Sequence, residues 1–292
     1  MSPDDPAEGA RRARYTNPPV ADGINASEEH PLREFLWLGS GALAGLAVIV
    51  ICVAWLGHLL GAFVSIETEQ RIAASLSQHL PAPTASETRD SLQALVDRLV
   101  AADPLPAGMT ITVHLLEQPQ VNAFATLGGH VVVLRGLLDV MPSENALAMV
   151  LAHEIAHVRE RHVIRSLGRG VLTSLALGLL TGRSHDSLAE SLAGKAGLGS
   201  ALSFSRQQEL EADALALRSV HALYGHVAGA SSLFVTLQAQ ARTGPPEWFS
   251  SHPEPEKRIV ALAAQARAQG WAQQGPLTAL PAQALHSRPA SP

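Results

Sequence analysis

The chain has almost no cysteine and no strong charge of either sign. Its 292 residues contain one cysteine, Cys52, so an intrachain disulfide is excluded. The formal net charge is -5 at pH 7, which is mild and gives no indication of a nucleic-acid partner. A chain of this length holds one large domain or two small ones, so composition alone leaves an enzyme, a binding module and a structural protein open.

Residues 35–66 contain no Asp, Glu, Lys or Arg, and His58 is the one histidine among them. The apolar stretch Leu36–Leu60 is long enough to cross a bilayer, which takes about 20 helical residues. The stretch is too long, and begins too far into the chain, for a cleaved signal peptide. We therefore predict a transmembrane helix at 35–64, preceded by a disordered arm at 1–34.

The arginines around this stretch indicate its orientation. Arg33 precedes it, as do Arg11, Arg12 and Arg14 at a greater distance, whereas Glu67, Glu69 and a single Arg71 follow it. Positive residues usually stay on the cytoplasmic side. This distribution favours a cytoplasmic N-terminus and a main domain outside the cytoplasm.

The residues after the span are predicted to form a linker at 65–86 and then a mainly helical α+β domain. An apolar stripe at helical spacing predicts an amphipathic helix over 87–101. Residues 111–116 are typical of a strand, and residues 122–134 of a hairpin or a pair of short strands. The exposed edge of such a sheet can align an extended peptide, although ordinary core strands fit the sequence equally well.

The next stretch, Ser143–His157, is predicted to be a helix capped by Ser143. It contains His153-Glu154-x-x-His157, which places the two imidazoles about 40° apart around the helix axis. Three polar groups on an otherwise apolar helix are costly to bury unless something binds them. A zinc ion would accept both imidazoles, and Glu154 would act as general base on a water molecule.

A second helix, capped by Ser205, carries Glu209 and Asp213 four residues apart on one face, with Glu211 pointing roughly the opposite way. Zinc held by two histidines needs a third protein ligand, which Glu209 would supply. Asp213 would accept the free ring N–H of a ligating histidine. The alternative is a solvated acidic face.

Two segments between these helices give weaker indications. The first helix is predicted to continue through His162, which would then lie half a turn away from His153 and be a poor ligand. Val171–Leu180 is apolar but too short to span a bilayer as a helix. The sequence leaves three alternatives open for this segment: it lies against the membrane, it covers the site, or it forms an ordinary buried helix.

The two helical motifs, in this order, resemble the membrane-associated gluzincin peptidases, the family of the CAAX prenyl protease and the HtpX-like proteases. Further similar stretches are Asn122-Ala-Phe-Ala125, Gly128-Gly129, Gly136-Leu-Leu138 and Ser251–Ile259. The resemblance covers residues 90–268, so we expect a gluzincin-like zinc peptidase domain at 87–268. The remaining residues, 269–292, show no repeat of the kind some periplasmic relatives carry and are predicted to be a disordered tail.

The resemblance implies one zinc ion per chain, with His153, His157 and Glu209 as ligands and Glu154 as the catalytic base. It also implies that His252 and Arg258 approach the site. In some relatives the matching histidine closes over the metal as an inhibitory fourth ligand. The sequence leaves open whether His252 is such a latch or a donor to the oxyanion, where Arg258 is expected to help.

Substrate binding is assigned by the same resemblance to Asn122, Ala123 and Phe124. The expected protein is a single-pass, membrane-anchored zinc endopeptidase whose catalytic domain lies on the periplasmic side of a bacterial inner membrane. Its expected partners are misfolded envelope or membrane polypeptides, the lipid bilayer and a second copy of the chain, without nucleic acid. The alternative is a non-hydrolytic envelope chaperone on the same fold, which would have no need for a base at Glu154.

Overall fold

The structure is a computed structural model, and it describes residues 31–77, 86–168, 170, 204–240, 252 and 255–280. Several predictions concern residues outside these ranges: most of the N-terminal arm, Val171–Leu180, and the end of the tail after residue 280. The chain divides into two units, residues 1–48 and 49–292. All the packing described below lies within the second unit.

The first described element is the long apolar helix α1 (Pro31–Phe63). Within it, Leu32–Gly57 has a mean hydropathy of 2.3 and is the one stretch of the described residues long and apolar enough to cross a membrane, by length and composition. After a break at Ser65, whose hydroxyl accepts a hydrogen bond from the Thr68 N–H, a separate helix α2 (Ile66–Ser77) begins.

The predicted amphipathic helix is present as α3 (Glu87–Ala102), capped by Ser86. Its predicted stripe faces the core, with Leu92, Leu95, Val96 and Leu99 buried. Burial of such side chains contributes roughly 1.5–3 kcal/mol each. This stripe fixes α3 against the sheet and against the helix that carries the histidine motif.

The sheet has three strands: β1 (Thr112–Leu116), β2 (Ala123–Thr126) and β3 (His130–Leu134). Strand β3 lies in the middle, parallel to β1 and antiparallel to β2, which is an edge strand. The predicted hairpin is therefore confirmed. Its turn requires glycine, because Gly128 and Gly129 have φ of 76° and 82°, and a Cβ on Gly129 would collide with the Thr110 carbonyl.

Further helices in the described residues are α4 (Arg135–Val140), α5 (Glu144–Arg159), α6 (Arg206–Tyr224), α7 (Ser232–Gln240) and α8 (Pro255–Gln269), and residues 162–168 are also helical. Helix α5 is buried along nearly its whole length, because it packs on α6, α3, α7 and strand β2. The mainly helical fold with a small sheet beside the motif helix agrees with the prediction.

The predicted disordered tail differs from the structure over residues 269–280. Residue 269 ends α8, and the segment after it is held by tertiary contacts. Trp271 stacks on His221, with ring centroids 4.6 Å apart. The Thr278 carbonyl accepts a 2.9 Å hydrogen bond from the Glu144 N–H, and the Thr278 N–H donates to Asn145 Oδ1 at 2.8 Å. The tail therefore covers the N-terminus of α5.

Candidate metal centre and active site

Helix α5 places both histidines of the motif on one buried face. Ser143 begins the helix, its hydroxyl accepting a hydrogen bond from the Ala146 N–H. His153 and His157 are 1% and 0% exposed, and their Nε2 atoms lie 3.0 Å apart. Two imidazoles aimed at one point inside a core are unusual unless a cation lies between them.

Helix α6 brings two carboxylates to opposite edges of the histidines. Ser205 and Gln208 form a capping box that fixes where the helix begins. Glu209 lies with its oxygens 3.5 Å from His157 Nε2 and 3.6 Å from His153 Nε2. Asp213, one turn on, lies 3.0 Å from His153 Nδ1. Both carboxylates are buried, so a solvated acidic face is excluded.

A third imidazole completes the cluster. His252 Nδ1 lies 3.3 Å from His153 Nε2 and 3.1 Å from each oxygen of Glu209. One donor atom from each of His153, His157, Glu209 and His252 lies within 4.8 Å of all the others. Tetrahedral zinc, with bonds of about 2.0–2.1 Å, needs its ligand atoms roughly 3.3 Å apart. This nitrogen and oxygen donor set therefore fits zinc in both spacing and chemistry.

Glu154 lies between this cluster and the edge strand. Its Oε2 accepts a 2.8 Å hydrogen bond from the Ala125 N–H of β2. Its Oε1 is buried, lies 3.6 Å from His252 Nε2, and has no hydrogen-bond partner among the described residues. Burial raises the pKa of Glu154, although the charges of His252 and His153 oppose it. One oxygen is thus held while the other remains available for a proton.

Arg258 lies behind the carboxylates. Its Nε and Nη2 each donate to Asp213 at 2.7 Å, and its Nη1 lies 3.1 Å from Glu209 Oε2. The guanidinium also lies over the Phe234 ring, 4.9 Å from the centroid. This forked contact orients both acidic side chains. The structure therefore places Arg258 beside the expected ligands, and its Nη2 also lies 3.2 Å from His153 Nδ1.

The charges of the cluster depend on one another. Burial and the Arg258 charge lower the pKa of His153, but hydrogen bonds to Asp213 and Glu209 outweigh them and raise it to about 9. Burial lowers the pKa of His157. Burial acts to raise the pKa of Glu209, but His252 and His153 lower it overall. The centre thus keeps Glu209 ionised in a buried site, as a cation ligand must be.

The edge strand presents alternate residues to the site. The Leu134 N–H donates to the Asn122 carbonyl, so in this antiparallel register Asn122 and Phe124 bond to β3. Ala123 and Ala125 then point their backbone groups to the open edge. Of the predicted substrate-binding residues, Ala123 lies at this edge. The Phe124 side chain instead packs with Val132 and Leu134 on the opposite face of the sheet. Ala125, which is not among the predicted substrate-binding residues, also lies at the edge.

The helix was wrongly predicted to run on through His162. Helix α5 ends at Arg159, Arg161 adopts a φ of 57°, and a separate helical segment begins at residue 162. His162 is therefore completely buried, with its Nδ1 3.0 Å from His157 Nδ1. Phe204 stacks on the other face of His157, with centroids 3.9 Å apart. No sequence pattern indicates a left-handed arginine, because that conformation is uncommon outside glycine.

Comparison with known proteins identifies the family of this chain. The model of peptidase family M48 matches residues 86–266, more than half of the chain. This chain belongs to peptidase family M48. The family resemblance predicted from the motifs is thereby confirmed, and the chain is assigned to the metallopeptidases.

Several curated proteins are similar to this M48 chain. A putative beta-barrel assembly-enhancing protease of Vibrio cholerae is 33% identical over 168 residues, 53% of this chain and 34% of its own length. A mitochondrial metalloendopeptidase of Schizosaccharomyces pombe is 29% identical over 212 residues, 67% of this chain and 60% of its own. An HtpX protease homologue of Acidiphilium cryptum is 31% identical over 172 residues, 56% and 55% respectively. The matched region is about a third of the length of the beta-barrel assembly-enhancing proteases.

The contact between Asp213 and His153 gives a first prediction. Asp213→Asn is expected to weaken zinc binding by about 10–100-fold, because the amide holds the ring N–H less strongly than the carboxylate does. Competition with a chromophoric chelator measures this affinity. Asp97→Asn, on the exposed face of α3, is the matched control. Equal affinities for Asp213→Asn and wild type would show that Asp213 does not support the ligand.

Proposed function

We propose that this M48 chain is a membrane-anchored zinc endopeptidase. One observation carries the proposal: Glu154 is clamped by the edge-strand N–H of Ala125 beside a buried cluster of four donor atoms that fits zinc. A site that only bound metal would have no need for a carboxylate held in this way. His153, His157 and Glu209 would hold the ion in the active state.

The residues divide the work of hydrolysis by position. The bound ion would supply Lewis-acid polarisation of water and of the scissile carbonyl. Glu154 Oε1 takes a proton from the attacking water and returns it to the leaving amine, while Oε2 stays fixed by Ala125. Asp213 fixes His153, and Arg258 fixes Asp213 and Glu209. The buried surroundings exclude bulk water and strengthen each of these interactions.

The edge of β2 is the proposed place for the substrate backbone. The Ala125 N–H is held by Glu154 Oε2, so an extended polypeptide would pair as an added strand with the outward N–H and C=O of Ala123 and the C=O of Ala125. Such pairing recognises backbone rather than particular side chains. An unfolded segment is therefore the substrate form that this site accepts best.

We propose misfolded envelope or membrane polypeptides as the substrate class. The support is the apolar stretch Leu32–Gly57 and the names of the beta-barrel assembly-enhancing relatives. A chain anchored in a membrane meets mainly substrates in or beside that membrane. The function is tested by incubating the purified full chain with unfolded casein, with and without a zinc chelator. Cleavage at internal bonds that the chelator abolishes supports the proposal, and cleavage at the same rate with and without the chelator contradicts it.

Orientation gives a second prediction. Alkaline phosphatase fused after residue 292 is expected to be active in a bacterial host, because Arg33 and the more distal arginines favour a cytoplasmic N-terminus. A green fluorescent protein fusion at the same position is the matched comparison, since it fluoresces only inside the cytoplasm. Strong fluorescence together with an inactive phosphatase would reverse the proposed topology.

His252 gives a third prediction. Its Nδ1 lies at ligand spacing from His153 and Glu209, so we propose a latent resting state in which it occupies the position that a catalytic zinc leaves open for water. His252→Ala is therefore expected to raise basal casein cleavage several-fold. Arg258→Ala is expected to lower it, because Asp213 and Glu209 lose the group that orients them.

The direction of the change in basal cleavage, compared at equal zinc content, separates the two roles left open for His252. A donor to the oxyanion predicts that His252→Ala lowers cleavage while the zinc content stays at one per chain. A latch predicts the opposite change in cleavage at the same zinc content. Measuring both quantities on one preparation decides between them.

A further inference from the structure

His162 is a buried histidine that the proposed mechanism does not use. It is 0% exposed, and its Nδ1 faces Nδ1 of His157 at 3.0 Å. The other ring nitrogen, Nε2, lies 3.4 Å from the carboxylate of Glu211, at an angle that makes no hydrogen bond in this conformation. Glu211 is 44% exposed and lies on the face of α6 away from Glu209. The two unassigned residues thus form a short chain from a metal ligand to the surface.

The direction of the hydrogen bond follows from the role of His157. Its Nε2 faces the donor cluster, 3.0 Å from His153 Nε2, so a ligating His157 must carry its proton on Nδ1. That N–H can then only donate, and His162 Nδ1 must offer its lone pair. A neutral His162 with a bare Nδ1 carries its own proton on Nε2, the atom that faces Glu211. The tautomer of His157 therefore fixes the tautomer of His162.

The local backbone conformation places His162 against His157. On a straight helix His162 would lie about 140° around the axis from His157, too far to touch it. The left-handed Arg161 swings it inward, and that conformation is unfavourable for arginine by about 1–3 kcal/mol. Arg161 is held by two hydrogen bonds to Glu69 of α2, at 2.8 and 3.1 Å. Phe204 closes the opposite face of the His157 ring.

We propose that His162 is a positioning residue for the metal centre: it accepts the Nδ1–H of His157, with Glu211 favouring the tautomer that makes this possible. The proposal rests on the proposed zinc site. Under this proposal the two motif histidines have different hydrogen-bond partners at the ring nitrogen that does not bind the metal. His153 faces the carboxylate of Asp213, and His157 faces a neutral imidazole. Such outer contacts commonly contribute 10–100-fold to metal affinity.

The test measures zinc affinity of the full chain in detergent by chelator competition. His162→Ala is expected to bind zinc about 10–100-fold more weakly than wild type. His162→Asn is expected to restore most of the affinity, because its amide oxygen can accept at the position of Nδ1. Glu211→Gln is expected to weaken binding to a smaller extent. His221→Ala, a histidine remote from the centre, is the matched control and should bind as wild type.

The outcomes separate this proposal from the proposed zinc site. Equal affinity of His162→Ala and wild type would overturn the positioning role alone, whereas absence of zinc binding in wild type would overturn both. If His162→Ala does not fold, nitrogen-15 spectra of histidine-labelled, zinc-loaded wild type decide. A His162 protonated on Nε2, with His157 protonated on Nδ1, supports the proposal. A His162 protonated on Nδ1 contradicts it.

Discussion

Glu154→Gln is expected to lower casein cleavage by about 10²–10⁴-fold, the range that a positioned general base contributes. The glutamine keeps the shape of the side chain, and its amide oxygen can still accept from the Ala125 N–H. It has no carboxylate to take a proton from water. Zinc content and melting temperature should therefore stay close to wild type, so that the loss lies in the chemical step.

The same measurement separates the enzyme from its alternative. A non-hydrolytic chaperone would not need Glu154 for its activity. Wild type and Glu154→Gln would then suppress the aggregation of an unfolded protein equally well. Glu256→Gln, at an exposed position early in α8, is the matched control and should cleave as wild type. The assay is run with His252 present and with His252→Ala, so that a latent state cannot conceal the effect. Undiminished cleavage by Glu154→Gln in both backgrounds would remove Glu154 from the mechanism.

His157→Ala is expected to abolish stoichiometric zinc binding. His157 is completely buried between Phe204 and His162, so no other side chain can move in to replace its Nε2. A ligand that binds only the folded state stabilises it by about 4 kcal/mol when present at a thousand times its Kd. Losing that contribution should lower the melting temperature in zinc by about 8–16 °C for a domain of this size.

Metal analysis and thermal melts with and without a chelator check this prediction. In wild type, the chelator should lower the melting temperature, whereas in His157→Ala it should change little because the ion is already absent. His221→Ala should retain both the zinc and its effect. One zinc per chain in His157→Ala, at wild-type affinity, would mean that the ion is bound elsewhere.

Local signals predicted much of the site. Ser143 and Ser205 cap their helices as expected, and Pro255 begins α8. Within a helix, side-chain direction follows from spacing alone. That is why Glu209 and Asp213 reach the Nε2 and Nδ1 edges of the histidines in the way that four-residue spacing predicts.

The parts that could not be predicted depend on residues far apart in the chain. Arg161 leaves the helical conformation beside Glu69, which lies on a different helix, and the periodicity around His162 contains no trace of that contact. Residues 270–280, after α8, are held in part by a hydrogen bond from Thr278 to Asn145, a residue of the motif helix. The stretch 269–292 as a whole is rich in proline and alanine, a composition typical of a disordered tail, and tertiary hydrogen bonds leave no compositional pattern.

Strand pairing limited the prediction of the substrate-binding residues in another way. The sequence Asn122-Ala-Phe-Ala125 indicates a strand, but which residues bond to the neighbour depends on the register with β3. A shift of one residue exchanges the two sets. The pairing of Phe124 with Val132 is what directs Ala123 and Ala125 to the open edge.

The central claim, that the buried cluster of His153, His157 and Glu209 is a metal-dependent peptidase centre, is tested most directly by zinc titration of chelator-stripped full chain. Casein cleavage is followed in wild type and in His252→Ala as zinc is added. The account predicts that cleavage is absent without zinc, rises in proportion to the metal and levels off at one zinc per chain. Cleavage that is already complete in the stripped chain, or that stays absent in both chains at one bound zinc, would contradict it.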